Sequence, residues 1–269
     1  MPKVKVSDIN MYYEIHGEGE PLVMIPGASA TTEAYLLKVP LYSEEYQVIL
    51  LDNRGAGQTD KPDIPYTIRM MADDLAGLLG KIGVNSAHIY GESMGGMVAQ
   101  EFAINYPERV KSLILISTYC GGPHGTLPSP SKRFDRELRA KMSPEELGME
   151  TLRLCVTRDY IDKHPDVAKT MMEAMVKMSE PAYAALRQAE AVRGFDTYEH
   201  LREIKAPTLI MAGDDDAAIP VENSSIIASM IPHAELVIFK DAGHILIEAG
   251  EKPDRIRLEF LRRHSATKA

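Results

Sequence analysis

Only two cysteines, Cys120 and Cys155, occur among the 269 residues. That number excludes a disulfide framework, and their spacing matches neither a Cys-x-x-Cys nor a Cys/His zinc pattern. Both read as free thiols in a reducing compartment, and no metal site is expected. Positive charge is also in deficit, with 30 Lys and Arg against 39 Asp and Glu and a formal balance of -9. No basic run interleaved with aromatics occurs, so nucleic acid is not an expected partner. Nor does any apolar run approach the about 18 residues of a membrane span. The opening MPKVKVSDIN lacks the charged, apolar and small-residue succession of a signal peptide. These absences lead us to expect a soluble, cytoplasmic protein with no membrane partner. Tryptophan is missing altogether, whereas methionine occurs 15 times; an unbranched thioether fits irregular gaps, which points to an adaptable interior.

What is present is globular in character: 45% of the residues are hydrophobic and 26% charged. Short apolar runs at residues 21–26, 47–51, 87–90, 113–116, 208–211 and 236–239 read as strands buried on both faces. Residues 67–82, 95–105, 221–230 and 253–263 carry helical periodicity between turn signals. Strands alternating with helices predict a mostly parallel, twisted sheet flanked by helices. The segment KVKV, a turn-prone Ser7-Asp8-Ile9-Asn10 and MYYEI read as a hairpin on its antiparallel edge. The alternation breaks over residues 121–200, where amphipathic helices follow one another behind a Gly/Pro/Ser linker. Met171, Met172, Met175 and Met178 fall there at helical spacing, a pattern that reads as core packing. The expected division is therefore 1–120 and 201–269 as an α/β core, with 121–200 as a separate helical unit.

The sharpest chemical signal is Gly91-Glu92-Ser93-Met94-Gly95-Gly96, which follows an apolar run and opens a helix. Strand, tight turn and helix form the setting of a Gly-x-Ser-x-Gly nucleophile elbow. The turn forces Ser93 into a strained conformation, and glycines at 91 and 95 remove side chains that would collide. The free N–H groups of the helix start favour developing negative charge, so the turn presents both a nucleophile and half of an oxyanion hole. Phosphate binding is the competing use of such a loop, but neither the Gly-x-Gly-x-x-Gly spacing nor a following Lys-Ser/Thr is present.

A serine hydroxyl needs a base, and a neutral imidazole has the appropriate pKa. Of eight histidines, His244 stands in Asp241-Ala242-Gly243-His244, just after the last strand-like run, where the carboxyl edge of a parallel sheet gathers active-site groups. His88 lies inside a core strand and reads as structural. A carboxylate is required to fix the imidazole tautomer. Asp214, Asp215 and Asp216 all follow the run at 208–211, and only one of them can face His244.

With these residues in order, the chain resembles the α/β-hydrolase superfamily. Met24-Ile25-Pro26-Gly27, Asp52-Asn53-Arg54-Gly55-Ala56-Gly57-Gln58-Thr59, the elbow, Gly213 to Asp216 with Pro220, and Gly243-His244 match its segments in sequence order. The resemblance implies an α/β-hydrolase fold with a helical cap inserted after the sixth strand. It also implies a catalytic triad of Ser93, Asp216 and His244, because the acid of the family stands three residues after the glycine and four before the proline. The oxyanion hole maps onto the backbone N–H groups of Met94 and Ala28, with Ser29 as the alternative to Ala28. Where the family commonly has His-Gly, with the histidine bracing this loop, the chain has Pro26-Gly27. The Asp52 to Thr59 segment is expected to support the same loop through Arg54 and its glycine turn.

The stretch GESMGGMVAQ and the short cap look most like 3-oxoadipate enol-lactonases and related small carboxylesterases. The implied activity is hydrolysis of a small-molecule carboxylic ester or lactone through an acyl-enzyme, with no cofactor. Carbon-carbon bond hydrolases of ring-fission products, cofactor-free peroxidases or acyltransferases, and ligand receptors share the fold and stand as alternatives. A substrate carboxylate would call for one of the cap arginines, Arg133, Arg136, Arg139, Arg153, Arg158, Arg187 or Arg193, although most of them read as a solvated face.

Overall fold

The computed structural model of the chain describes residues 2–126, 141–177 and 181–266. The hairpin β1 (Lys3–Val6) and β2 (Ile9–His16) is followed by β3 (Glu20–Ile25), β4 (Tyr46–Leu51), β5 (Ala87–Glu92), β6 (Val110–Ile116), β7 (Thr208–Gly213) and β8 (Glu235–Phe239). They form one eight-stranded sheet in the order β1-β2-β4-β3-β5-β6-β7-β8. β1 pairs antiparallel with β2 and β2 antiparallel with β4; all other pairings are parallel. This is the α/β-hydrolase architecture expected above, including the hairpin edge.

Parallel strands need crossovers, and the crossover helices cover both faces, so both alternations of each strand must be apolar. On β5, Ile89 joins a cluster containing Leu75, Val98 and Phe102, while Tyr90 joins the opposite one with Met24, Ile114 and Leu258. The described helices are α1 (Val39–Ser43), α2 (Ile68–Lys81), α3 (Met94–Asn105), α4 (Pro144–Cys155), α5 (Arg158–Lys163), α6 (Pro165–Lys177), α7 (Ala182–Arg193), α8 (Glu222–Met230) and α9 (Lys252–His264). Among the described residues, none of them is long and apolar enough to cross a membrane.

Helices α4 to α7 lie between β6 and β7 in the chain. Ser143 and Glu146 close a capping box that starts α4. Gly148 lets α6 come close, because a Cβ there would lie 2.8 Å from a Val176 methyl. Met171, Met172 and Met175 pack on Leu152, Val156 and Ala168, and Ile245 and Ile247 join the same cluster from the far end of the chain. Met171, Met172 and Met175 are thus half-buried packing residues, in keeping with their spacing; Met178, Arg133, Arg136 and Arg139 lie outside the described residues. The two chain passages at the base of this unit meet in a bridge between Gly121 and Asp196.

Arg54 is a buried cation, 1% exposed, held by Asp74 on α2 at 2.8 Å and by Asp8 of the hairpin turn at 2.7 Å. Removing one partner of such a pair strands the other charge. Arg54→Met should therefore lower unfolding stability by about 3–5 kcal/mol in a urea titration. A loss below about 1 kcal/mol would show that Asp74 finds solvent instead.

Candidate active site

The order of strands reverses at β3, which has β4 on one side and β5 on the other. Ligands in open α/β sheets bind outside the carboxyl ends of the strands at such a point. The two loops that leave it are 26–31, after β3, and the elbow after β5. Ser93 sits between β5 and α3 with φ 57° and ψ -122°, a conformation that an L-residue holds only under constraint from its surroundings. The constraint is visible atom by atom. A Cβ at Gly91 would lie 2.3 Å from the Gly95 carbonyl oxygen, and one at Gly95 only 2.0 Å from that of Ile25. The second glycine is therefore required by the neighbouring strand rather than by the elbow's own. Gly27 also faces the elbow, its would-be Cβ 3.2 Å from the Ser93 Cβ.

Asp216 leaves β7 and His244 follows β8, and the structure joins them: Asp216 Oδ2 lies 2.8 Å from His244 Nδ1, with both side chains buried. Asp214 and Asp215 are exposed, and Asp214 accepts instead from the Asp241 N–H at 2.7 Å. The other oxygen of Asp216 accepts from the N–H groups of Ala218 and Ile219 at 2.8 and 2.9 Å, so the carboxylate has no rotational freedom left. Burial by itself disfavours the His244 cation. The Asp216 charge, its hydrogen bond and the Glu92 carboxylate outweigh that effect, and the net result is a pKa raised above the ordinary histidine value. A base is useful only when neutral, so activity should fall with acidification through a midpoint above about 6.5. A kcat/KM profile across that range checks this; an acid limb below that value would contradict the electrostatics.

Ser93 and the His244 loop are tied to each other through two consecutive residues after β6. Thr118 Oγ1 donates to the Ser93 carbonyl at 2.8 Å, and Ser117 Oγ donates to the His244 carbonyl at 2.7 Å. Among the described residues Ser93 Oγ makes no hydrogen bond of its own. Catalytic hydrogen bonds are often loose until substrate closes the site.

The 26–31 loop is held from several sides. Asn53 Nδ2 donates to the Pro26 carbonyl at 2.9 Å, Tyr35 Oη to that of Ile25 at 3.0 Å, and the Thr32 N–H to Asp52 Oδ1 at 2.8 Å. The expected support from the Asp52 segment thus comes from Asp52 and Asn53. The Arg54 side chain turns away to Asp8 and Asp74, where it finds two carboxylates, and its carbonyl accepts from Gln188 Nε2. The Ser29 N–H donates to Gln188 Oε1 at 2.8 Å. Among the described residues neither the Ala28 N–H nor the Met94 N–H has an acceptor. Two unpaired donors therefore flank the Ser93 turn, and Ser29 is already spoken for.

The family model described as the alpha/beta hydrolase fold matches residues 20–251. The chain belongs to the α/β-hydrolase family. A 2-hydroxy-6-oxononadienedioate/2-hydroxy-6-oxononatrienedioate hydrolase of Burkholderia vietnamiensis is 30% identical to this hydrolase over 266 residues, covering 96% of this chain and 92% of the relative. Among solved structures, the enol-lactonase of Burkholderia xenovorans LB400 superposes with a TM-score of 0.86 at 25% identity, covering 97% of this chain and all of that one. A thermophilic esterase of Thermogutta terrifontis does so with a TM-score of 0.83 at 27% identity over 99% of this chain and 100% of that one.

In this hydrolase, His88 is the structural histidine its strand position predicted, bonded to Ser112 at 2.8 Å and to Glu20 at 3.2 Å. Of the described cap arginines, Arg153 and Arg158 point to solvent. Arg187 pairs with Asp63 and Glu190, and Arg193 is exposed. Ser117, Thr118 and Gln188 carry no motif and escaped the sequence reading. Gln188 did leave a trace, since it shares the helix face of Ala184, Ala185 and Ala191. A lone polar group on an otherwise buried face needs a partner. Among the described residues, no group of three or more His, Cys, Asp or Glu could hold a metal ion.

Proposed function

We propose that the protein hydrolyses small to medium carboxylic esters or lactones through an acyl-enzyme on Ser93. The pair of unpaired N–H groups, Ala28 and Met94, beside a strained serine carries this reading, because it is the arrangement that a tetrahedral oxyanion needs. In the proposed reaction Ser93 Oγ attacks the substrate carbonyl and gives its proton to His244 Nε2, while Asp216 holds the Nδ1 proton. The carbonyl oxygen, now an oxyanion, takes the two N–H bonds. Collapse expels the alkoxide, which leaves with the proton from His244. Water then attacks the ester of Ser93, its proton passing to His244 and on to Ser93 as the acid is released. The esterase and enol-lactonase neighbours support this choice of substrate.

The test is a burst assay with p-nitrophenyl acetate, butyrate and octanoate, followed by intact mass after rapid quenching. A mass increment equal to the acyl group, absent in Ser93→Ala, is the expected result. The relative from Burkholderia vietnamiensis favours carbon-carbon bond hydrolysis as a second reading. Turnover of a ring-fission dienoate, with no acyl adduct from any of the three esters, would select it over the first.

A further inference from the structure

Gln188 lies on α7, between β6 and β7, yet its side chain reaches into the catalytic core. It is fully buried, with a relative exposure of 0%. Its Oε1 accepts from the Ser29 N–H and its Nε2 donates to the Arg54 carbonyl, each at 2.8 Å. One amide thus satisfies a donor and an acceptor of two different core loops, and the two bonds together fix which way the amide faces. The helix is seated to deliver it. Ala184, Ala185 and Ala191 are all buried at its interface. Tyr183 Oη donates to the Lys61 carbonyl at 2.8 Å, and Tyr119 Oη reaches back to the Val192 carbonyl at 2.7 Å.

The residue that Gln188 grips is strained. Ser29 has φ 63°, in the left-handed region that costs an L-residue about 1–2 kcal/mol, and such conformations persist only where neighbours impose them. Pro26 has no N–H and contributes only a carbonyl, which Asn53 holds. The loop is therefore pinned at the Pro26 carbonyl on one side and at the Ser29 N–H on the other. Between these pins lies the peptide that carries the Ala28 N–H, so its direction is set by both. If Gln188 is lost, a buried N–H is left to seek another acceptor, and the 28–29 peptide is free to turn.

We propose that Gln188 is a positioning residue for the reaction: from the inserted helices it holds the 26–31 loop so that the Ala28 N–H points at the developing oxyanion. This rests on the serine-hydrolase reading above. The inserted unit is then part of the catalytic geometry, and a displacement of α7 switches the hole off without touching Ser93 or His244.

Gln188→Ala, Gln188→Met and Gln188→Glu, assayed with p-nitrophenyl butyrate, test this. Affinity for an alkyl trifluoromethyl ketone, whose serine adduct places an oxyanion in the hole, and a thermal melt complete the set. A misdirected donor should lower kcat about tenfold to a hundredfold with KM within about threefold, and weaken the ketone by the same factor as kcat. Gln188→Glu keeps the acceptor for Ser29 and should retain more of kcat than Gln188→Ala. Gln188→Met keeps the volume and serves if the alanine variant does not fold. A folded variant with kcat within about twofold of the parent, or one in which only KM rises, overturns the proposal. Labelling by a fluorophosphonate separates the two failures. If the parent protein is not labelled at Ser93, the serine-hydrolase reading falls and the proposal falls with it. If the parent is labelled and the Gln188 variants keep their kcat, only the proposal falls.

Discussion

Ser93→Ala should lower kcat for p-nitrophenyl butyrate by a factor on the order of 10⁴ to 10⁶, and His244→Ala should do the same. The reason is that neither group is worth much alone. An unactivated hydroxyl is a poor nucleophile, and an imidazole with no hydroxyl beside it has only water to activate. The double variant should accordingly be little worse than either single one, since the members act as a unit. The residual rate would come from the two N–H donors, which neither substitution removes. Single-turnover rates together with a melting curve separate lost chemistry from lost fold. Activity within about tenfold of the parent in a folded Ser93→Ala would remove Ser93 from the mechanism.

Asp216→Asn should cost about 10³ to 10⁴ in kcat while leaving the structure in place. The hydrogen bonds say why the penalty is so large for an exchange of one atom. The N–H groups of Ala218 and Ile219 both require an acceptor at position 216, so the amide oxygen stays with them and the amide nitrogen faces His244. That nitrogen donates, which obliges His244 Nδ1 to accept and moves the imidazole proton to Nε2. The ring can then no longer take the proton of Ser93. Asp215→Asn should change kcat by less than about threefold, because its side chain is exposed and an exposed charge interacts only weakly with its neighbours. Asp214→Asn should likewise spare kcat, its bond to the Asp241 N–H being structural. If Asp214→Asn or Asp215→Asn proved more damaging than Asp216→Asn, the acid would have been misassigned.

Much of this protein was readable along the chain. The strand and helix alternation held because burial on two faces forces unbroken apolar runs, and such runs need no knowledge of their partners. The elbow was readable as a motif: Gly91 and Ser93 answer a steric problem within the turn itself, whereas the demand on Gly95 comes from the Ile25 carbonyl of the neighbouring strand. The resemblance, through the spacing from Gly213 to Pro220, selected Asp216 from three adjacent aspartates, and Asp216 is the one whose carboxylate lies against His244. The role of Arg54 was harder to read. Its sequence neighbours belong to a loop beside the site, but a charge on a long side chain goes where carboxylates can neutralise it, and those came from α2 and the hairpin turn.

What the sequence by itself determined is the class of chemistry and the fold, because both are written in short-range patterns of burial, turn and motif. What only the tertiary structure decided is which donors stand free and what holds them. The resemblance placed the second donor at Ala28, with the adjacent Ser29 as its alternative. They differ because Gln188, 159 positions away in the chain, takes the N–H of one and leaves the other. Ser117 and Thr118, with no motif to mark them, couple the loops of Ser93 and His244. Such contacts depend on which buried polar atom finds which partner across the folded core, and that matching exists only once the chain has closed on itself.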